Sequence, residues 1–417
     1  MIRQIEARHY RCIKEIRQGL GNFHVLVGPN ASGKSTFLDI PSFIRQMELE
    51  GLDAAVAQRT NDIHDLFWQR QGGPFELALE VAMPGENPDS SDEPADHAGK
   101  ILRYEVVAGI SDKNQSHVIT RRLFERDAIA DELRHSRPAA ETILLTESEI
   151  SAGSWRSLLP GLDALIKLGL AHDRGRANAP DSAAIPVERS RTSFLEMLGI
   201  LQVPQARWLL EFLRERLVPV TLESQALRRP AKPGNGARFV KNGENLPGVI
   251  AGLQEKSPEQ FDAWIRHLQM ALPELTDVRV VERAEDHFRY VMVIYKNDLQ
   301  VPAWVLSDGT LRLMALTVLP YLPTPGATYL IDEPEANIHP RNVEIMMQSL
   351  GSLYDGQTLL ATHSPAVISV TGPKNLLVFS QTLEGGAAIV PGGNHPGLRA
   401  WKGQPNLSVL FASGVLG

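Results

Sequence analysis

A single cysteine, Cys12, stands in a chain of 417 residues, which excludes an internal disulfide and a zinc knuckle and suits a reducing compartment. No stretch approaches the ~18 uninterrupted apolar residues of a membrane span. The best candidate, LRLMALTVLPYLP, is broken by Arg312 and two prolines. The N-terminus, MIRQIEARHYRCIKEI, is charged throughout and lacks an apolar signal core, so a cytoplasmic protein with no membrane contact is expected. Positive charge is not in excess. The formal net charge of −7 excludes a globally basic coat for nucleic acid and leaves only local basic patches. There is no sustained heptad run, no internal repeat and no H-x-x-x-H, H-N-H or D-x-D cluster. A long coiled-coil arm and a recognisable catalytic metal cluster are therefore not expected.

What is present begins with an ordinary globular balance, 43% apolar and 22% charged residues, enough for a sizeable core. Residues 24 to 40, HVLVGPNASGKSTFLDI, fit the phosphate-cradling pattern G-x-x-x-x-G-K-[ST] through Gly28, Gly33, Lys34 and Ser35. An apolar strand precedes the loop and a helical pattern follows it. Backbone N–H groups of such a loop converge on phosphate oxygens at the positive end of the helix. Asn30, Ala31, Ser32, Gly33, Lys34, Ser35 and Thr36 are thus the candidate nucleotide-binding residues. Lys34 would neutralise β- and γ-phosphate charge, and the Ser35 hydroxyl would ligate Mg²⁺ beside ATP.

Three further segments carry chemistry. TYLIDEPEANIHP is an apolar strand ending in Asp332 and Glu333. Asp332 is placed to hold the water shell of Mg²⁺, and Glu333 to polarise the attacking water. The alternative is a solvated turn. Glu335 reads as helix-start capping or dipole stabilisation ahead of a role in the chemistry. LLATHSP is a second apolar strand, ending at His363, which could contact the γ-phosphate or the attacking water. In VLSDGTLRLMAL, Ser307, Asp308 and Gly309 open an apolar helix. That is either a second anion site or an ordinary N-cap.

Strand and helix alternate around these motifs, which predicts a mostly parallel sheet. The expected architecture is α/β: an ATPase domain built from residues 1–125 and 276–417, split by a mainly helical insertion at 126–275. Within the N-terminal part, residues 1 to 27 read as two strands with a turn at RQGLGN, and the P-loop helix is expected to run from near Lys34 to about Met47, interrupted or kinked near Pro41. PGENPDSSDEPADHAGK reads as a long hairpin loop. In the insertion, SPEQFDAWIRHLQMAL has Ser257 as N-cap and Gln260 at N3, a capping box, with Phe261, Trp264, Ile265 and Leu268 as the buried stripe. LRRPAKPGNGARFVKNGENLP gathers Arg228, Arg229, Lys232, Arg238 and Lys241 against Glu244. DNA contact through this loop is one reading and a solvated basic loop the other. With Phe239 its only aromatic, the segment does not read as a stacking platform.

The ordered set GPNASGKST, LSDGT, LIDEPE and THS resembles the ATP-binding-cassette type of ATPase head. More closely it resembles the RecF-like and OLD-like AAA family ATPases of bacterial DNA maintenance and anti-phage defence. The resemblance covers residues 1 to 50 and 290 to 380. It implies a P-loop NTPase of ABC-ATPase head type that dimerises around two ATP molecules. Ser307 and Gly309 of one subunit would then touch the γ-phosphate held by the other, with Glu333 the catalytic carboxylate and His363 the switch histidine. Gln46 and Gln58 are the candidates for the family's Q-loop glutamine. Ser35 and Ser307 lie much farther apart than in transporter ATPases, which disfavours a transporter motor. The residues after His363 are too few for the Toprim nuclease domain of OLD-type proteins. A separate effector, a nuclease or toxin, is therefore the implied partner. The rival expectation is an ATP-dependent scaffold that sequesters and releases an effector with little turnover.

Overall fold

The computed structural model describes residues 1–71, 73–83, 100–110, 116–127, 142–146, 193–200, 203–234, 238–382 and 384–399. The chain divides into two compact units: Met1 with Leu20–Asp39 and Glu215–Gly417, and Ile2–Gly19 with Ile40–Arg214.

The unit that carries the P-loop is built on a six-stranded sheet in the order β15-β14-β3-β13-β12-β8. Its strands are β3 (Phe23–Val27), β8 (Leu217–Val220), β12 (Ala327–Asp332), β13 (Gly356–Ala361), β14 (Leu376–Gln381) and β15 (Ala387–Pro391). The five strands from β14 to β8 run parallel, and β15 is antiparallel at one edge. Their near-continuous apolar runs suit strands covered on both faces. Leu330 pairs with Leu359, and Leu360 in turn with Val25. Helices Leu246–Lys256, Pro258–Ala271, Asp308–Thr317 and Pro340–Gly351 contribute to the same hydrophobic core. A three-stranded antiparallel sheet, β9 (Leu275–Glu282), β10 (Arg289–Tyr295) and β11 (Gln300–Pro302), completes this unit.

The stripe of Phe261, Trp264, Ile265 and Leu268 is buried as its spacing predicts. The Trp264 indole donates to the Thr317 hydroxyl at 3.1 Å. Ser257 does occupy the N-cap, but its hydroxyl makes no capping bond. Instead its carbonyl accepts from Gln260 and Phe261, so the expected capping box is not formed.

The other unit is an antiparallel sheet in the order β2-β1-β4-β5-β6-β7. It comprises β1 (Ile2–Tyr10), β2 (Ile13–Gly19), β4 (Phe75–Ala82), β5 (Lys100–Ile110), β6 (Ser116–Asp127) and β7 (Thr142–Thr146). β1 buries Ile2, Ile5, Ala7 and Tyr10, strict alternation being interrupted by a register shift between Ile2 and Gln4 and by the positive φ of His9. At the polar positions the Arg103 guanidinium pairs with Glu6, Glu80 and Glu105, each at 2.7 Å. In the core, Tyr10 packs on Phe43 and Phe75 with ring centroids 5.7 and 5.3 Å apart.

Several sequence expectations are revised. Residues 1 to 27 form three strands rather than two, because β1 and β2 turn at Arg11–Cys12, with Arg11 at φ 52°. The P-loop helix runs Lys34–Glu50, close to its expected bounds, as one helix with Pro41 inside it. The segment 126–275 holds helices and also β7 and β8, and the division between units falls at Glu215 within it. β8, with sequence LVPV, is too short and too proline-marked for a periodicity signal. The long acidic hairpin tip lies outside the described residues. Among them, no helix is long and apolar enough to cross a membrane.

Candidate functional site

Because β3, β13 and β12 are adjacent and parallel, their carboxyl ends open on one edge of the sheet, where ligands of open α/β sheets bind. The P-loop leaves β3 there. Gly28 has φ 148°, and a Cβ at this position would come within 2.3 Å of the Phe379 carbonyl oxygen on β14. Only glycine permits that approach. Gly33 (φ 101°) and Ala31 (φ 62°) continue the left-handed path, and the Ala31 carbonyl accepts from Gln381 at 3.1 Å. The first helical bond is Phe37 N–H to Gly33 at 2.9 Å, so the loop delivers the amino end of the helix to the sheet edge.

Lys34 is 9% exposed, and its ammonium donates to the Gly28 and Pro29 carbonyls at 2.8 Å each. Burial lowers its pKa, and the nearby Asp332 and Glu333 charges oppose that shift. Asp332 ends β12 and its carboxylate accepts the Ser35 hydroxyl. Solvent reaches part of the Asp332 side chain, yet crowding by the loop desolvates the carboxyl and raises its pKa. Glu333 adds to that rise, while Ser35, Lys34 and His363 counter it.

Glu333 sits at φ 49°, a conformation costly for a side chain of this kind. It is held there by its N–H bond to the Ala361 carbonyl, 2.9 Å. The turn aims its carboxylate at His363, whose Nδ1 lies 3.0 Å from Glu333 Oε1. Lys34, Ser35, Asp332, Glu333 and His363 are thus gathered at one edge by three strands.

Ser307 and Gly309 belong to a neighbouring element. Ser307 is the N-cap of helix Asp308–Thr317 and accepts the Thr310 N–H at 3.2 Å. Gly309 packs so closely on the turn after β12 that a Cβ would lie 2.4 Å from the Asn337 carbonyl oxygen. Within one chain, then, Ser307 caps a helix and Gly309 allows that helix to touch the acidic turn.

Other residues of this region escaped the sequence reading. Glu335 is not a helix cap: its Oε1 accepts the Thr362 hydroxyl at 2.6 Å, and burial raises its pKa. The cap of helix Pro340–Gly351 is His339, which accepts the Arg341 N–H. Arg312, on the same helix as Gly309, is 9% exposed and donates to the Leu222 carbonyl at 3.0 Å. Its charge is felt by Asp308, Glu335 and Glu333. The basic loop is also partly committed: Arg228 pairs with Asp308 and donates to the Trp304 carbonyl at 3.0 Å, and Arg238 pairs with Glu215 at 3.0 Å. Of the Q-loop candidates, Gln46 is buried and bonded to Glu50 and Arg59. Gln58 ends the helix Leu52–Ala57.

The site fits a nucleoside triphosphate with a hard divalent cation. Gly28 keeps the loop open where a Cβ could not fit, and the Ser32 hydroxyl is buried with no protein partner. The Ser35 hydroxyl and Asp332 carboxylate are oxygen donors of the kind Mg²⁺ takes while retaining water.

Solved Smc head domains are among the structures similar to this chain. The Smc head bound to the C-winged helix domain of ScpA superposes with TM-score 0.50 and 16% identity, covering 93% of this chain and 97% of that one. An Smc head domain with an extended coiled coil from Pyrococcus furiosus, bound to the C-terminal domain of ScpA, gives 0.44 and 16%, covering 93% and 95%. The SMC head domain from Thermotoga maritima gives 0.40 and 12%, covering 94% and 98%. The first of these places the chain among α/β P-loop folds of ABC-ATPase head type. No curated protein matches the sequence. The family described as "AAA domain, putative AbiEii toxin, Type IV TA system" matches residues 23–181 and 211–369, more than half of the chain, and the protein therefore belongs to that AAA-domain family.

Proposed function

We propose that this protein is an ATPase that binds ATP with Mg²⁺ at the P-loop and hydrolyses it when two copies close around two nucleotides. The state of the dimer would control a separate effector, a nuclease or toxin, in DNA maintenance or anti-phage defence. The observation that carries the hydrolytic reading is the convergence of Lys34, the Ser35–Asp332 pair and the Glu333–His363 pair at one sheet edge. Membership of a family that includes type IV toxin–antitoxin proteins supports the effector part.

The N–H groups of residues 30 to 36 and the Lys34 ammonium would hold the β- and γ-phosphates. Ser35 and Asp332 would hold Mg²⁺, which neutralises charge developing on the phosphate oxygens. Glu333 would take a proton from the attacking water as its oxygen bonds to the γ-phosphorus and the bond to ADP breaks. His363, with Nδ1 3.0 Å from Glu333 Oε1, would fix that carboxylate's orientation. Ser307 and Gly309 would complete the site of the opposite copy.

Phosphate release from ATP tests this reading. Lys34→Ala should lose nucleotide binding and turnover, whereas Glu333→Gln should bind ATP but turn over ~10²-fold or more slowly. Full activity in Glu333→Gln would remove the assigned base. A chain with no turnover in any form but with ATP-dependent effector binding would be a scaffold instead. Ser307→Arg should bind nucleotide yet hydrolyse nothing, and mixing it with Lys34→Ala should restore one working site per heterodimer. No restoration from folded, associating variants would sink the composite site.

A further inference from the structure

The basic segment after Ser224 has Phe239 as its only aromatic, too little by itself to stack a base. Folding supplies others from elsewhere. Ala231 and Arg289 exchange two backbone hydrogen bonds, 2.7 and 3.0 Å, which fixes Arg228 and Arg229 beside the start of β10. Tyr290, next on β10, packs on Trp304 with ring centroids 4.9 Å apart. The Arg283 guanidinium lies 5.9 Å from the centroid of the Tyr290 ring. The result is a concavity of about 590 Å³ lined by Arg228, Arg229, Arg283, Trp304 and Asp308 among others.

We propose that this concavity binds single-stranded nucleic acid, with a base stacked on Trp304 and neighbouring phosphates on Arg229 and Arg283. Three properties select that ligand. The first is the indole, 45% exposed although it is braced by Tyr290, a ready π-face of the sort that strand-binding proteins use. Charge is the second. Arg228 is spent on Asp308 and on the Trp304 carbonyl, which rigidifies the floor. Arg229 is exposed, with no ion-pair partner among the described residues, and Arg283 has only a 3.6 Å contact with Asp286. Two guanidinium groups beside one aromatic face match a base flanked by phosphates. The third is size, since ~300–1,000 Å³ is the range of pockets that take a small-molecule unit, here one nucleotide. A duplex keeps its bases stacked inside and offers the indole nothing. An acidic peptide would satisfy the arginines and leave the indole unused.

The test is fluorescence anisotropy of a labelled oligothymidylate, without ATP, so that it stays independent of the hydrolysis reading. The Lys34→Ala chain should bind as the wild type does. Trp304→Ala should weaken binding about 5- to 150-fold, with Trp304→Phe recovering most of it. Arg229→Glu with Arg283→Glu should weaken binding and flatten the slope of log K against log salt by about 0.7 per lost phosphate contact. Thermal denaturation of each variant establishes that it is folded. Unchanged affinity in a folded Trp304→Ala chain overturns the proposal. So does equal competition by duplex DNA, by polyglutamate of matched charge, or by free thymidine monophosphate at equal nucleotide concentration.

Discussion

Gly309 offers the sharpest test of the local architecture. Its added Cβ would sit 2.4 Å from the Asn337 carbonyl oxygen, 3.4 Å from its carbon and 3.6 Å from Ile338 Cα. Ordinary carbon–oxygen contacts fall near 3.3–3.6 Å, so Gly309→Ala must push helix and turn apart by about 1 Å. Neither side yields easily. The obstacle is main chain, Asn337 is held at φ 61°, and Ile338 is 8% exposed with its N–H bonded to Glu335 at 2.9 Å. Overpacking of this kind costs about 1–3 kcal/mol, a shift in Tm of roughly 2–12 °C for a domain of ordinary size. Thermal unfolding followed by circular dichroism measures it. The same displacement would disturb the turn carrying Glu333, so phosphate release should fall even where nucleotide still binds. A Gly309→Ala chain with unaltered Tm would refute the close approach, and the glycine would then need a different explanation.

Arg312→Met should destabilise by ~2–3 kcal/mol in urea, because it leaves the Leu222 carbonyl without its charged donor and removes a cation that Asp308, Glu335 and Glu333 feel. Arg312→Lys should cost less, and equal losses would deny the charge a part. Glu335 has its pKa raised by burial, so the folded state holds its proton more tightly than the unfolded chain. Its ionised form costs stability at neutral pH, and that cost fades as pH falls through the raised value towards the ordinary carboxylate range. Relative to wild type, Glu335→Gln should therefore gain stability as pH rises from about 4 to 8, measured as the midpoint of urea unfolding. A difference independent of pH would show that the carboxyl is not desolvated.

What could be read beforehand was local. GPNASGKST needs one strand, one loop and one helix start, all within a few residues, and each leaves its own mark. Asp332 and His363 could be placed because each ends an apolar run long enough to be a strand. The contacts that organise their surroundings were hidden because their partners are remote in sequence. Thr362 and Glu335 meet just beyond the ends of adjacent strands, and Asp308 takes its counterion from Arg228. Arg228 illustrates the limit well. Its neighbours Arg229 and Lys232 suggest a solvated basic loop, and no periodicity marks out Arg228 and Arg238, which fold back onto carboxylates. Glu333 shows the reverse: its position after the strand was evident, but the left-handed backbone that turns it towards His363 was not.

The strand order of the P-loop sheet has a consequence for biosynthesis. β3 is finished by residue 27, but both of its neighbours, β13 and β14, come from beyond residue 355. As the ribosome works, the strand leading into the nucleotide site must wait for roughly 330 further residues before either edge is covered. At about 5–20 residues per second that delay is on the order of 15–65 seconds. Throughout it, the apolar segment Phe23–Val27 is open to mispairing. Chaperone demand during synthesis should therefore depend on the time taken to translate the intervening segment, and slowing translation there should lower the yield of folded protein.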